Sequence, residues 1–248
     1  MLLQAFTRLL DGHCTPAFVR ACATDPGRAQ PLADEIEQAG FHALLLPEAD
    51  GGAGLPLAGL VPFLIAAGER LAPVPFGETA LRRAGHAQLP LPARAALRAA
   101  GMAGMSAHVL AMTIDHVTTR QQFGRPLAAF QAIQQQLALM AEDVAAATLA
   151  AHIGFGGPGF TPERSAAAKL RANEAAVRII AVAHQLHGAI GATNEFDLQL
   201  WTGALSAARL ADGGESHWAA VLARHRLSAA PADSAAYIRT HLQPGDAA

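Results

Sequence analysis

Apolar residues in the second half of the chain recur with the period of a helix. Phe130, Ile133, Leu137, Met140 and Val144 follow one another at steps of three, four, three and four, which is the seam of an antiparallel helix bundle. Leu97, Met105, Val109 and Met112 keep helical spacing across residues 93–119, ahead of that seam. A third long helix opens at Thr161-Pro162-Glu163, with a side-chain cap and proline at its first position. It carries Leu170, Val177 and Ile180 and ends near Gly188. A fourth helix is expected to begin near Asn194, and a last one runs from about Glu215 to Leu227 beyond Gly213-Gly214. The first half is less regular: helix from about Thr15 to Gly40, broken around Pro26, and again from Leu57 to Leu71. Between them lies a glycine-dense loop, Leu45 to Leu55.

No stretch alternates with a period of two between hairpin turns, as a sheet would require. Alanine makes up about a quarter of the chain while valine, isoleucine and threonine are sparse, and that balance favours helix over strand. The predicted fold is therefore all-α, with an amino-terminal helical region over residues 1–90 and a carboxy-terminal antiparallel four-helix bundle over 91–230. Residues 231–248, polar and proline-containing, are expected to be loosely ordered.

Of the 248 residues, 52% are hydrophobic and 15% charged, with a formal net charge of −2. This excludes a disordered chain and leaves no basic stripe for nucleic acid. Two cysteines, Cys14 and Cys22, fit a reducing cytoplasm better than a disulfide framework. The amino terminus lacks the pattern of a signal peptide, and stretches such as Leu55 to Ala67 are too short for a bilayer. No membrane association is expected. His184 and His187 lie one helical turn apart, but no carboxylate or cysteine motif joins them at ligand spacing, so no metal is expected.

Two constellations stand out. The first, Arg120-Gln121-Gln122-Phe123-Gly124-Arg125-Pro126 followed by Phe130 and Ile133, reads as a helix ending at a glycine with an arginine beside an aromatic ring. A guanidinium can fork onto phosphate oxygens and a ring can pack on a heterocycle. The same residues would equally serve as an interhelical turn with Phe123 plugging the core. The second, Gln185-Leu186-His187-Gly188-Ala189-Ile190-Gly191, places small residues after a helix, where a ligand can approach the backbone closely.

In this order, the motifs resemble the acyl-CoA dehydrogenase family. The Arg120 to Phe130 segment is similar to that family's Arg-x-x-Phe-Gly turn, and Gln185 to Glu195 to its Gln-x-x-Gly-Gly-x-Gly segment with a following glutamate. Pro47-Glu48-Ala49-Asp50-Gly51-Gly52-Ala53-Gly54 resembles its Pro-Glu-x-x-Gly-Gly-x-Gly signature. The version here is most like a bacterial branch with heteromeric enzymes for bulky, sterol-like acyl-CoA thioesters. The resemblance implies an FAD enzyme that removes hydrogens from the α and β carbons of an acyl-CoA, built as a homodimer or hetero-oligomer. It assigns Arg120, Phe123, Phe130 and Ile133 to the adenine dinucleotide half of FAD across an interface. Gln185, Leu186, Gly188 and Ala189 would cradle pyrophosphate and ribose. The family's catalytic base falls on Asp212, and its flavin-touching segment on Gly214 and Ser216.

Three departures qualify the assignment. Asp212 is one methylene shorter than the family's glutamate. The alternative position for a base lies near Arg94, with no carboxylate at hand. The second departure is that the family's flavin-touching Gly-Thr-x-Gln reads Gly213-Gly214-Glu215-Ser216 here. The family's β domain between the helical halves is missing, since only a few residues separate Gly85 from Ala93. Three readings follow: a compact dehydrogenase with Asp212 as base, a non-catalytic subunit completing the FAD site of a full-length relative, or a flavin-free helical scaffold.

Overall fold

The computed structural model describes residues 1–193 and 195–244. Five helices make up the first part: α1 (Leu2–His13), α2 (Pro16–Thr24), α3 (Gln30–Gln38), α4 (Val61–Glu69) and α5 (Phe76–Arg83). They surround an aromatic cluster in which the Phe6 ring meets Phe76 at 4.6 Å, Phe41 at 5.0 Å and Phe63 at 5.4 Å between centroids. Such offset and tilted contacts stabilise beyond the area they bury. Helix α1 is not among the sequence-predicted elements, although Leu2, Phe6, Leu9 and Leu10 share one helical face. Its residues suit the short apolar stripe of a helix that is stable only once docked on a core.

The long helices follow: α6 (Leu91–Thr119), α7 (Gln131–Gly154), α8 (Pro162–His187), α9 (Leu198–Leu210) and α10 (Glu215–Ser228). Asn194, the expected start of the fourth helix, lies outside the described residues, and α9 begins at Leu198 after a short turn. The cap expected at Thr161 forms, its hydroxyl accepting from the backbone N–H of Arg164, and Thr15 caps α2 in the same way through Phe18. Residues 234–241 of the tail, read from sequence as loosely held, make a short helix, α11, capped by Asp233 and anchored by buried Tyr237. Two short strands, Gln121–Gln122 and Arg125–Pro126, form the one sheet among the described residues.

Alanine sets the packing of the bundle. Ala96, Ala99, Ala100 and Ala103 of α6, Ala147 and Ala151 of α7, and Ala168, Ala172, Ala175 and Ala176 of α8 belong to one buried cluster that continues into the Phe6 region. Small side chains let the helix axes approach closely, so dispersion contacts replace long side chains. The approach is tightest between α4 and α6. A Cβ on Gly104 would lie 2.0 Å from the Ile65 carbonyl oxygen, and one on Gly68 would lie 2.1 Å from that of Gly101. Trp201 adds a tie from α9, donating from Nε1 to the Glu69 carbonyl (2.9 Å) while stacking on His108 at 4.1 Å.

Helix α7 is long and apolar enough, by length and composition, to cross a membrane. In the fold its inner face packs on α6 and α8, and Asp143 on that face is clamped by Arg171 and Arg178 of α8. Its outer face leaves Leu139 61% and Leu149 55% exposed.

The glycine contact predicts a paired result. Gly104→Ala drives a methyl into backbone that cannot yield, costing about 3 kcal/mol and lowering the thermal midpoint by roughly 6–12 °C. Gly101→Ala, with open space at its Cβ, leaves stability unchanged or raises it by up to about 1 kcal/mol. Thermal denaturation of the two variants checks the difference.

Candidate functional site

One group of predicted residues collects where α6 ends. The helix stops at Thr119, and Arg120 is already extended. Gln121 pairs with Pro126 and Gln122 with Arg125, so Phe123 and Gly124 form the two-residue tip of a hairpin. Both have positive φ, 53° and 76°, the combination a type I′ turn requires. This corrects two expectations: the helix does not end at Gly124, and Phe123 does not plug the core. Its ring is 90% exposed, on backbone that costs a non-glycine residue about 1 kcal/mol. Phe130 supports the tip, with the Phe123 ring edge-on at 6.1 Å and the Arg125 guanidinium over its face at 4.1 Å. Ile133 follows, half-buried, in the first turn of α7. Arg120 is exposed, and its guanidinium makes no hydrogen bond or ion pair among the described residues.

The carboxy-terminal end of α8 lies beside this hairpin because two imidazoles hold it there. His187 stacks on His116 of α6 at 4.3 Å, and Phe196 packs on His187 at 5.0 Å. His187 donates from Nδ1 to the Ala183 carbonyl (2.8 Å), and its buried Nε2 has no partner. Burial lowers the pKa of both histidines, which keeps the rings neutral and the stack free of charge repulsion. Leu186 is buried, while Gln185, Gly188 and Ala189 face solvent. His184 turns to Thr202 of α9 instead (3.0 Å).

The second group sits at the other end of the bundle. Asp212, in the loop after α9, adopts a positive φ of 56°. Its Oδ1 accepts from Arg94 Nε (2.9 Å), and its Oδ2 from Arg98 Nε (3.2 Å) and Nη2 (3.0 Å). The two arginines are one turn apart on α6, so both reach one carboxylate. Burial pushes the Asp212 carboxyl up, but the arginines outweigh it and hold it below the usual carboxylate range. Its side chain is 12% exposed.

The loop itself is pinned by Lys169, which is fully buried on α8. Its Nζ donates to Asn173 Oδ1 (2.6 Å) and to the carbonyls of Arg209 (3.0 Å) and Gly213 (3.3 Å). Desolvation draws the amine down to about 8. Trp218 donates to the Asp212 carbonyl (3.0 Å), and a Cβ on Gly213 would meet that indole nitrogen at 2.6 Å. Only glycine fits there. Gly214 caps α10, and Ser216 is exposed in its first turn. Arg94 and Arg98 also line an open pocket of about 470 Å³ bordered by α2, α4, α5, α6 and α9.

The predicted residues therefore form two sites. Helix α6 has 29 residues, so its ends lie roughly 40 Å apart at the helical rise, farther than one dinucleotide reaches. Sequence reasoning missed Arg94 and Arg98 as partners of Asp212. Their spacing of four was legible, but the carboxylate is 118 positions away from Arg94. It also missed His116 and Phe196, for which no local signal exists.

Comparison with known proteins gives a consistent result. Residues 87–227 match the family model described as acyl-CoA dehydrogenase, C-terminal domain. The chain is 36% identical over 107 residues to acyl-CoA dehydrogenase IpdE2 of Mycobacterium tuberculosis, covering 43% of this chain and 33% of that protein. It thus spans about a third of that relative's length. It is 35% identical over 98 residues to 3-sulfinopropanoyl-CoA desulfinase of Paraburkholderia xenovorans, covering 39% and 25%. The fold is shared with a chain of the Tcur3481-Tcur3483 steroid ACAD at a TM-score of 0.77 and 20% identity, covering 92% of this chain and 97% of that one. A chain of the ChsE4-ChsE5 complex from Mycobacterium tuberculosis gives 0.76 and 19%, covering 93% and 97%.

The Asp212 clamp predicts a stability effect with a defined pH range. Asp212→Asn removes the charge from three hydrogen bonds, and because the arginines are nearly half exposed the loss is about 1 kcal/mol, or roughly 2–4 °C in thermal midpoint. A lowered folded-state pKa means the stabilisation is present above the ordinary carboxylate value and is lost as pH falls through the folded value. Melting curves of wild type and variant should differ at pH 7 and begin to draw together only as pH falls below the ordinary carboxylate value of about 3.9, meeting beneath the lower folded value.

Proposed function

The chain belongs to the acyl-CoA dehydrogenase family, and we propose that it works as a subunit completing the FAD site of a full-length acyl-CoA dehydrogenase partner, in the α,β-dehydrogenation of an acyl-CoA thioester. The observation that carries this reading is the Phe123 hairpin. A large ring held in solvent at 90% exposure on a left-handed backbone gains nothing for this chain alone and suits contact with a ligand or partner.

The residues present fit one half of the cofactor. Arg120 has its guanidinium donors free for phosphate oxygens, and Phe123 and Phe130 offer ring faces and edges to a heterocycle. Gln185 is exposed beside Gly188, whose positive φ and open surroundings leave room for a close approach. Gly214 and Ser216 are too far from this group to touch the same molecule, so the redox half belongs to the partner. FAD, when bound, supplies the acceptor for the β hydride. Within this chain, Arg94 and Arg98 keep Asp212 ionised and occupy both of its oxygens, so the base that takes the α proton comes from the partner. Leu139 and Leu149 of α7, with Val177 of α8 exposed at 44%, provide apolar surface for that assembly. The fold shared with a chain of a steroid ACAD supports a bulky, sterol-like acyl-CoA thioester, and two free cysteines suit a cytoplasmic setting.

Co-expression with a full-length acyl-CoA dehydrogenase encoded nearby tests the reading. It should give a yellow mixed complex, and Arg120→Ala or Phe123→Ala should raise the dissociation constant for FAD about tenfold or more without moving the melting temperature of the isolated chain. A yellow homodimer that acyl-CoA bleaches, and whose bleaching Asp212→Asn abolishes, overturns it in favour of a self-sufficient enzyme.

A further inference from the structure

The end of α8 is fastened to the end of α6 through a ring that can change its charge. His187 is 5% exposed, and its ring lies face to face with that of His116, 4.3 Å between centroids and 24° between planes. Phe196 covers it from the loop before α9 at 5.0 Å. The following turn presses on its base, since a Cβ on Gly191 would lie 2.9 Å from His187 Cβ. Gln185 and Leu186 precede the ring and Gly188 and Ala189 follow it, so the segment read as the cofactor cradle is built around this one side chain.

The geometry admits only the neutral form. Nδ1 carries the proton that His187 donates to the Ala183 carbonyl (2.8 Å), which leaves Nε2 as a lone pair, buried and without a partner. A second proton has only Nε2 to occupy. It creates a charged donor with no acceptor in front of it, one of the costliest groups a fold can bury. The surroundings give no relief. Asp115, which favours charge on His116, is exposed, and Arg120 opposes it. On α8, His184 is turned to Thr202 of α9 and opposes charge on His187. Glu195 is exposed, and Asp197, beyond Phe196, is paired with Arg20 of α2. The turn at 188–192 has no ionisable residue. Among the described residues no carboxylate is hydrogen-bonded to either imidazole.

We propose that His116 and His187 are positioning residues for the cofactor half-site: stacked and neutral, they hold residues 185–189 beside the Arg120 and Phe123 hairpin, and a solvent proton taken up on His187 Nε2 parts the stack and releases the segment. What the segment holds rests on the flavin reading above, whereas the clasp is a property of this chain alone. A ring that stays neutral in the closed form stabilises that form fully above the ordinary imidazole value of about 6.5, and each pH unit below it favours opening about tenfold until the closed form titrates too.

Amide hydrogen exchange of the full chain tests the clasp without cofactor. Corrected for the intrinsic effect of pH, exchange of residues 185–191 should be about tenfold faster at about pH 5 than at about pH 7.5, while that of α6 around Ala99 stays unchanged. His187→Phe keeps a ring in the stack but takes up no proton, and should hold the rise below about twofold. His116→Phe should leave exchange at neutral pH as in the wild type, and His116→Ala, which cannot stack, should raise it there. Where His187→Phe does not fold, NMR of the wild-type imidazoles replaces it, and the His187 ring must titrate over the same interval as the exchange. In the mixed complex the dissociation constant for FAD should rise about tenfold between the two pH values in the wild type and less than about twofold in His187→Phe. Exchange that ignores pH, or an acid response that survives His187→Phe, overturns the clasp. A response in exchange with none in FAD affinity overturns the positioning role. A complex that binds no FAD at either pH overturns the flavin reading instead, and exchange alone then decides the clasp.

Discussion

Helix α6 can anchor the molecule only because glycine and alanine let its neighbours reach its backbone. Contacts of about 2 Å to a notional Cβ at Gly68 and Gly104 mean that α4 and α6 touch main chain to main chain. On its other sides α6 meets α7 and α8 through a seam of alanines. A helix fixed this way cannot bend or slide without losing dispersion contacts along much of its length. Arg94 and Arg98 at one end, and His116 and Arg120 at the other, are therefore held at a constant separation. The two sites inherit their geometry from that rod rather than from the loops that carry their other residues.

At each end the polar chemistry follows from what the rod presents. At the amino-terminal end two arginines in successive turns meet the Asp212 carboxylate, and buried Lys169 secures the loop that delivers it. At the carboxy-terminal end two neutral imidazoles stack where α6 and α8 stop together. One end is built on full charges brought into pairs, and the other on rings kept uncharged by burial. The difference matters for assembly, since the ring-built end leaves Phe123 and Arg120 open while the charged end encloses its carboxylate.

Much of the fold was legible because its determinants are local. Thr161-Pro162 caps α8 through bonds spanning three residues, and Leu137, Met140 and Val144 of the predicted seam pack on the core as their spacing requires, while Phe130 and Ile133 at its start are half-buried beside the hairpin. The three-motif order was also enough to reach the family. What escaped was non-local. The backbone sign at Phe123 depends on strand pairing across the hairpin, so Phe-Gly read as a helix end. The Arg94 to Asp212 bond joins residues far apart in the chain, and there the sequence offered only a carboxylate without its partners. Helix α1 escaped because its short stripe acquires meaning only against Phe41, Phe63 and Phe76. The short tail helix depends in the same way on burying Tyr237.

Lys169 is the single lysine of the chain, and it is fully buried with its amine committed to two carbonyls and an amide oxygen. All other side-chain positive charge is carried by arginine or, when protonated, histidine. Thioesters acylate exposed amines slowly without any catalyst, whereas a guanidinium at neutral pH is a poor nucleophile. The surface of this protein thus offers activated acyl groups no lysine to react with, and it keeps its charge pattern in a medium that would gradually erase one made of lysines.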